Sequence, residues 1–201
     1  STLTSVSTDG TLTVTVSLRD DAGNVGTENT GTIIGDTVSP YVTTVNIYNI
    51  GEDSYSSVAN AASLTITASV IDTNSAIIEA TDVTANLLDL GFGAAVSSDS
   101  YDLATGIATW QAALSTLTSV STDGTLTVTV SVRDDAGNVG TENTGTIIGD
   151  TTAATLTVNI YNQTEDTFDS VGTEATVVVT VGVTDTNSAI IEITDITANL
   201  L

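Results

Sequence analysis

The chain has no cysteine, methionine, histidine or lysine among its 201 residues. The absence of cysteine excludes disulfide bonds and thiolate metal sites. Without histidine there is no imidazole base for a nucleophilic triad, and zinc and copper sites are disfavoured. The chain is also poor in readily oxidised side chains and in a common protease target. This composition suits an exposed extracellular or cell-surface location, which is the location we expect.

Positive charge is nearly absent as well. The two basic residues, Arg19 and Arg133, stand against 25 acidic ones, for a formal net charge of −23. Such a chain repels polyanions, so we expect neither nucleic acid nor an anionic membrane surface as a partner. No apolar run reaches the length of about 18 residues that a membrane span needs. Self-repulsion works against compactness, and we expect bound cations or high salt to offset it.

The sequence also lacks the residue patterns that other common enzyme classes require. A glycosidase needs a positioned pair of carboxylates, whereas the acidic residues here lie in turns of repeated segments. The GFG and DAGN segments lack the lysine and the strand–helix context of a phosphate-binding loop. We therefore expect no enzymatic activity.

Internal repetition dominates the sequence. Residues 1–37 match residues 115–151 with one change, Leu18 against Val132. Beyond this match the alignment slips by one residue, and NIYNIGEDSYSSV from Asn46 then aligns with NIYNQTEDTFDSV from Asn159. Residues 89–114 have no second copy. The offset of 114 residues (115 − 1) predicts a tandem array, with the C-terminal part of one repeat at 1–36, a complete repeat at 37–150 and the N-terminal part of the next at 151–201.

Alternation of apolar residues with threonine predicts β-strands. The segments SLTITASVID from Ser63, TLTVTVSVRD from Thr125 and TVVVTVGVTD from Thr176 each place apolar side chains on one face. Further strands are predicted near 42–49, 77–88, 94–101, 105–113 and 140–148, and no helical period is present. About seven short strands in one repeat predict an all-β fold built as a β-sandwich, with Trp110 in its core.

One repeat carries a strand that ends in D-x-A-G-N, a short strand, and then D-T-T-A or D-T-x-x-P. It also carries VTANLLDLG followed by GIATWQAAL. This order resembles the bacterial and archaeal Ig-like tandem-repeat domains of giant surface adhesins, S-layer proteins and extracellular fibres. The resemblance covers the whole repeat and implies Greek-key, Ig-like β-sandwiches in tandem. The sequence departs from the pattern of these domains in the linker. Pro40 follows the first DT, whereas Ala154 stands near the equivalent place after the second DT, so we expect the two linkers to differ in stiffness.

In an Ig-like strand order, three acidic segments of the complete repeat meet where the chain enters it. These are GDT, DTNSA and DDAGN, which supply Asp36, Asp72, Asn74, Asp134, Asp135 and Asn138. Clustered carboxylates without basic partners favour a cation between them, and a set of oxygen ligands favours Ca²⁺. The resemblance implies Ca²⁺ at domain junctions too. The repeat extends the prediction to Asp20, Asp21, Asn24, Asp150, Asp185 and Asn187.

Other interpretations of the same residues remain open. Aspartate and asparagine are common turn residues, so DDAGN can be a purely structural turn. Arg133 is expected to form a salt bridge, with Asp134 as one candidate partner. The GEDS and TEDT loops are expected near STDG at the opposite end, where Glu52 could add a ligand beside Asp150. Asn162 in NQT is a candidate N-glycosylation site.

These observations favour a structural function. We expect a segment of an adhesin stalk, surface layer or fibre, whose partners are neighbouring repeats of the same chain or identical chains. One alternative is an adhesive module that binds a cell-surface glycan or protein, although near-identical copies argue against a dedicated receptor site. Another is a filament subunit, in which a segment of one chain completes the sheet of its neighbour.

Overall fold

The computed structural model describes residues 9–59, 62–73, 78–111, 120, 123–185 and 193–199. This part of the chain is all-β: it contains antiparallel sheets, three short 3₁₀ turns and no α-helix. The strands are β1 (Gly10–Val16), β2 (Asn29–Gly35), β3 (Tyr41–Asn49), β4 (Ser57–Val58), β5 (Leu64–Ile71), β6 (Val83–Asn86), β7 (Val96–Ser97), β8 (Ser100–Asp102), β9 (Ile107–Trp110), β10 (Gly124–Val132), β11 (Asn143–Gly149), β12 (Thr155–Asn162) and β13 (Val177–Thr184). No helix in these residues has the length and apolarity that crossing a membrane requires.

Two sheets form the central part of the molecule. The larger has the order β4-β11-β10-β6-β7, and the smaller has the order β3-β5-β9-β8. Apolar residues on the facing sides of both sheets build a single core, an arrangement consistent with a β-sandwich. The alternation of β5 explains its place in this core, because every second side chain from Leu64 to Val70 is buried and those between them are not.

Trp110 ends β9 at the centre of this core. Its side chain is fully buried, and its indole Nε1 donates a hydrogen bond to the carbonyl oxygen of Val96 at 2.9 Å. The bond satisfies the one polar atom of the ring, which would otherwise be costly to bury. The predicted core position of Trp110 is confirmed.

Two further hairpins flank the central sheets in sequence. Strands β1 and β2 pair from Gly10↔Gly35 to Val16↔Asn29, the register that β10 and β11 repeat from Gly124↔Gly149. Strands β12 and β13 pair antiparallel as β3 and β5 do. Copied sequence therefore forms the same hairpin in each place.

A β-bulge explains why the sequence copies slip by one residue. In the β3–β5 pair the register shifts between Val42 and Thr44, so Thr43 is an extra residue. In the β12–β13 pair the ladder runs without interruption through Leu156. Leu156 consequently occupies the position of Val42, because these residues lie opposite the aligned Val183 and Val70.

Some predicted strand boundaries are wrong. The strand predicted over 77–88 is short, since a 3₁₀ turn at Ala80–Asp82 precedes β6 and another at Leu88–Leu90 follows it. The strand predicted over 94–101 is two strands, β7 and β8, which belong to different sheets. Strand β4 was not predicted, because two residues are too few to show an alternation.

Candidate metal centre

The DDAGN loop after β10 holds the Asp134 carboxylate in a fixed orientation. Oδ1 accepts a hydrogen bond from the Asn138 backbone N–H at 2.8 Å, and Oδ2 accepts one from Asn138 Nδ2 at 2.9 Å. The Gly137 N–H closes the turn on the Asp134 carbonyl at 3.0 Å, with a φ of 96° that favours glycine. Asp134 is 3% exposed, so its carboxylate lies in the interior at the end of the strand.

Asp36 approaches the same place from the segment between β2 and β3. Its Oδ1 accepts a hydrogen bond from the Val38 N–H at 2.9 Å, which forms a local turn. Its backbone carbonyl accepts a hydrogen bond from Asn138 Nδ2 at 3.3 Å. Asp36 is 6% exposed, which is unusual for an aspartate.

Asp72 supplies the third carboxylate. It directly follows β5 and is half-buried. One carboxylate oxygen each from Asp36, Asp72 and Asp134 lies within 4.8 Å of the others. At an effective dielectric constant of about 20, two such charges repel by roughly 3 kcal/mol. A cation between them would convert this repulsion into attraction.

Asp36 contributes an atom that is suited to this role. Its Oδ2 is buried and accepts no hydrogen bond from the residues that the structure describes. A buried carboxylate oxygen without a partner is costly. The cluster offers oxygen ligands alone, from carboxylates, so its chemistry fits a hard divalent cation. These three residues could hold a metal ion.

Tyr101 was missed in the sequence, and it lies near the cluster. Its hydroxyl is buried and has no hydrogen-bond partner among the described residues. Burial raises the pKa of this phenol, and the negative charge of Asp72 raises it further. The phenol therefore stays neutral beside the carboxylates, adding no negative charge to them.

The other predicted ligands have different positions. Asp135 and Asp21 are exposed at the second position of their loops, and neither belongs to the carboxylate group. Asn138 holds Asp134 and the Asp36 backbone, so the described contacts give it a positioning role. The predicted ligands Asn74 and Asn187 lie outside the described residues.

The flanking copies contain the same local turns without the full cluster. Asp20 accepts hydrogen bonds from the Asn24 N–H and Nδ2, both at 2.8 Å, and the Asn24 interaction lowers the pKa of its carboxyl group. Asp150 accepts one from the Thr152 N–H at 2.9 Å, as Asp36 does from Val38. Within the described ranges, Asp20, Asp150 and Asp185 do not join a group of three acidic side chains.

A second junction contact was not predicted. Asp123 of the STDG segment accepts hydrogen bonds from the Thr151 N–H at 2.8 Å and the Thr151 hydroxyl at 2.6 Å. Asp9 holds Thr37 with the same two bonds, at 2.8 and 2.7 Å. In both copies the threonine hydroxyl is the main cause of a lowered pKa of the aspartate. Asp9 and Asp123 thus each hold the threonine that directly follows the acidic GD pair of the same sequence copy, a contact that no local sequence pattern indicates.

The GEDS loop lies near this exit, as the sequence predicted. Glu52 and Asp150 line one open groove of about 390 Å³ together with Asn49 and Thr152. Asp53 is not among the residues that line this groove, and its carboxylate accepts a hydrogen bond from the Tyr48 hydroxyl. The groove holds two carboxylates, fewer than the Asp36 cluster.

The structure also bears on the expected salt bridge of Arg133 and on the candidate glycosylation site at Asn162. Arg133 donates from Nε to the Gly137 carbonyl at 3.4 Å, so in the described part of the chain it supports the loop backbone and forms no ion pair with Asp134. Asn162 is 3% exposed, and its Nδ2 donates to the Ser170 carbonyl at 2.9 Å. N-glycosylation would modify this nitrogen, so a glycan on Asn162 would have to be added before the loop folds.

Comparison of the chain with protein-family models, with curated proteins and with solved structures returned no match. The interpretation of the acidic cluster therefore rests on its own geometry and chemistry.

Proposed function

We propose that this chain is a segment of an extracellular structural protein, such as an adhesin stalk, surface layer or fibre. Its units are tandem Ig-like, Greek-key β-sandwiches, and Ca²⁺ rigidifies the junctions between them. The function is mechanical: each unit adds length, and each junction limits bending. Stability is then approximately a sum of unit terms and junction terms.

The observation that carries this proposal is the position of Asp36. It belongs to the segment that leaves β2 of one sequence copy and enters β3 of the next. Its carboxylate meets Asp72 and Asp134 of the following copy. A cation bound there would fix the linker to the two segments that directly follow β5 and β10 in the next sequence copy. Bending at the linker would then require breaking metal–oxygen bonds.

Support also comes from the other side of the same linker. Thr37, the next residue, is held by Asp9 of the preceding copy. Two consecutive linker residues are therefore tied to opposite neighbours: Thr37 to the copy before it and Asp36 to the copy after it. Thr151 and Asp123 repeat the first of these ties at the second junction. A linker held from both sides is suited to transmitting force without free rotation.

Calcium is favoured over other cations by the ligand set. The cluster has carboxylate oxygens and no imidazole or thiolate, which disfavours zinc and copper. Magnesium prefers strict octahedral geometry and keeps several waters, whereas calcium accepts irregular sets of six to eight oxygens. An abundant extracellular divalent cation would also offset part of the net charge of −23.

Small-angle X-ray scattering of the chain in Ca²⁺ and in chelator tests this proposal. We expect Ca²⁺ to narrow the distribution of molecular dimensions obtained at infinite dilution, because the linker samples fewer angles. The variant Asp36→Asn should scatter identically in both solutions. Asp135→Asn makes the same charge change one residue from the cluster and should keep the Ca²⁺ response. Identical scattering of the unmodified chain in the two solutions would contradict a cation-stiffened junction.

A further inference from the structure

Tyr101 carries a polar atom that the described residues do not satisfy. Its side chain packs against the hydrophobic core, and its hydroxyl group is buried without a hydrogen-bond partner among those residues. A hydroxyl that has left water normally gains a hydrogen bond in the folded protein, because burying it unpaired is costly. The surroundings of this hydroxyl therefore indicate what it is placed to bind.

The smaller sheet places this hydroxyl at the end of β5. Tyr101 lies in the edge strand β8, which pairs with β9, and β9 pairs with β5. A β-carbon added at Gly106 would lie 3.9 Å from the Tyr101 hydroxyl oxygen and 2.5 Å from the carbonyl oxygen of Val70. The hydroxyl thus lies beside the backbone of Val70, which precedes Asp72 by two residues.

Gly106 fixes this arrangement. It lies in the turn between β8 and β9, where its N–H donates to the Asp102 carbonyl at 2.7 Å and its own carbonyl accepts a hydrogen bond from the Val70 N–H at 2.8 Å. Its φ of 70° favours glycine, and a larger residue would collide with Val70. The turn is bonded directly to β5, so Tyr101 and Asp72 are held on one support.

The hydroxyl is also close to a carboxylate of the proposed cation site. Burial raises the pKa of the Tyr101 phenol, and the negative charge of Asp72 raises it further. The two groups are near neighbours that form no direct hydrogen bond, since the hydroxyl has no partner among the described residues. Polar groups in this relationship are commonly joined by a water molecule.

The coordination chemistry of the cation supplies such a water. Asp36, Asp72 and Asp134 each place one carboxylate oxygen in the cluster, whereas Ca²⁺ takes six to eight oxygen ligands, some of them water. A bound cation polarises its water ligands, so their protons become better hydrogen-bond donors. The oxygen of a neutral phenol can accept such a bond.

We propose that Tyr101 positions the cation at this junction: its hydroxyl oxygen accepts a hydrogen bond from a water molecule that is bound to the ion. The inference rests on the proposed Ca²⁺ site and adds a residue that touches the water ligand and not the ion. The hydroxyl gains its partner only when the ion binds. The cation then ties the linker residue Asp36 to β8 as well, which is the edge strand of the smaller sheet.

Removing the hydroxyl alone separates this role from packing. Tyr101→Phe keeps the ring and should melt no lower than the unmodified chain in chelator, because no described residue loses a hydrogen bond. It should bind Ca²⁺ roughly 10- to 100-fold more weakly, as is usual when a residue that orients a metal ligand is replaced. Tyr48→Phe is the matched control, since the Tyr48 hydroxyl donates to Asp53, which is outside the cluster.

Calcium titration of the chelator-stripped 201-residue chain, followed by calorimetry and by the near-ultraviolet absorbance of tyrosine, tests the proposal. Calorimetry gives the Kd of each variant, and the absorbance band of a phenol shifts when its hydroxyl gains a hydrogen bond. We expect Ca²⁺ to shift this band in the unmodified chain and in Tyr48→Phe. In Tyr101→Phe the shift should be absent and the Kd should be raised.

Equal affinity of the unmodified chain and Tyr101→Phe, or an absorbance shift that Tyr101→Phe retains, would overturn the role of Tyr101 and leave the cation site standing. A lower melting temperature of Tyr101→Phe in chelator would overturn this role too, because the hydroxyl would then have a partner within the protein. Absence of Ca²⁺ binding to the unmodified chain would overturn the proposed function and this inference together.

Discussion

The side-chain amide of Asn138 donates a hydrogen bond to the backbone carbonyl of Asp36, at 3.3 Å and across 102 residues of chain. The same Nδ2 atom donates to Oδ2 of Asp134 at 2.9 Å. One asparagine thus connects the linker of one sequence copy to a carboxylate of the next. The two bonds place Asp36 and Asp134 close together before any cation is present.

Replacing this asparagine should loosen the junction. We expect Asn138→Ala to lower the free energy of unfolding of the central sheets by about 1–3 kcal/mol, since a buried carboxylate and a carbonyl lose their donor. Denaturant unfolding followed by Trp110 fluorescence measures this change. Asn24→Ala is the matched control, because Asn24 makes the same turn but its hydrogen bonds go to Asp20 alone. Equal losses in both variants would contradict a junction role for Asn138.

Neutralising one carboxylate of the cluster should have opposite effects with and without Ca²⁺. In chelator, Asp36→Asn removes repulsion from Asp72 and Asp134, so the melting temperature should rise. In Ca²⁺ it removes a ligand, so the gain that the unmodified chain shows should disappear. That gain is about 2.7 kcal/mol when free Ca²⁺ is a hundredfold above Kd. Differential scanning calorimetry in the two solutions measures both signs, and Asp135→Asn, which is exposed, should change neither.

The two aligned glycines of β11 and β2 should respond differently to alanine. Gly145→Ala places a methyl group 2.7 Å from the Val45 carbonyl oxygen, and β3 and β11 must separate. We expect a loss of at least 1–3 kcal/mol, in the range of an overpacked core. The methyl group of Gly31→Ala meets nothing within 4 Å. Thermal melting compares the two variants, and a similar loss from Gly31→Ala would contradict the open space at Gly31.

The Asp123–Thr151 contact should make the exit from β11 sensitive to acid. Hydrogen bonds from Thr151 hold the pKa of Asp123 below its ordinary value of 3.8. A lowered pKa in the folded state stabilises the fold above the unfolded pKa, and this contribution is lost as pH falls through the folded pKa. The melting temperature should therefore be higher for the unmodified chain than for Asp123→Ala at neutral pH. The difference should shrink below about pH 3.8, and a constant difference down to low pH would argue against the contact.

The sequence was sufficient to predict the all-β fold, because apolar residues alternate with threonine along β5 and β10 and both strands lie half-buried in a core. It also selected Asp36, Asp72 and Asp134 as neighbours, on the expectation of an Ig-like strand order, and one carboxylate oxygen of each lies within 4.8 Å of the others. Short elements were harder to predict. Strand β4 is held by its pairing with the distant β11, and its two residues are too few to show an alternation.

Other features depend on atoms that sequence reasoning does not place. The repeated TDG and GDT segments gave no sign that Asp123 and Thr151 bond to each other across 28 residues. The one-residue slip between copies was visible, yet its cause is the bulge at Thr43, which depends on the register with β5. Arg133 was expected to form a salt bridge with a carboxylate, but the tight DDAGN turn places the Gly137 carbonyl oxygen 3.4 Å from its Nε, which donates a hydrogen bond to it.

The central claim is that the Asp36, Asp72 and Asp134 carboxylates bind Ca²⁺ at the junction. Isothermal titration calorimetry of the chelator-stripped chain tests it most directly. The account predicts one saturable Ca²⁺ site per chain that Asp36→Asn and Asp134→Asn each abolish and Asp135→Asn retains. Absence of saturable binding, or binding that Asp36→Asn leaves unchanged, would contradict it.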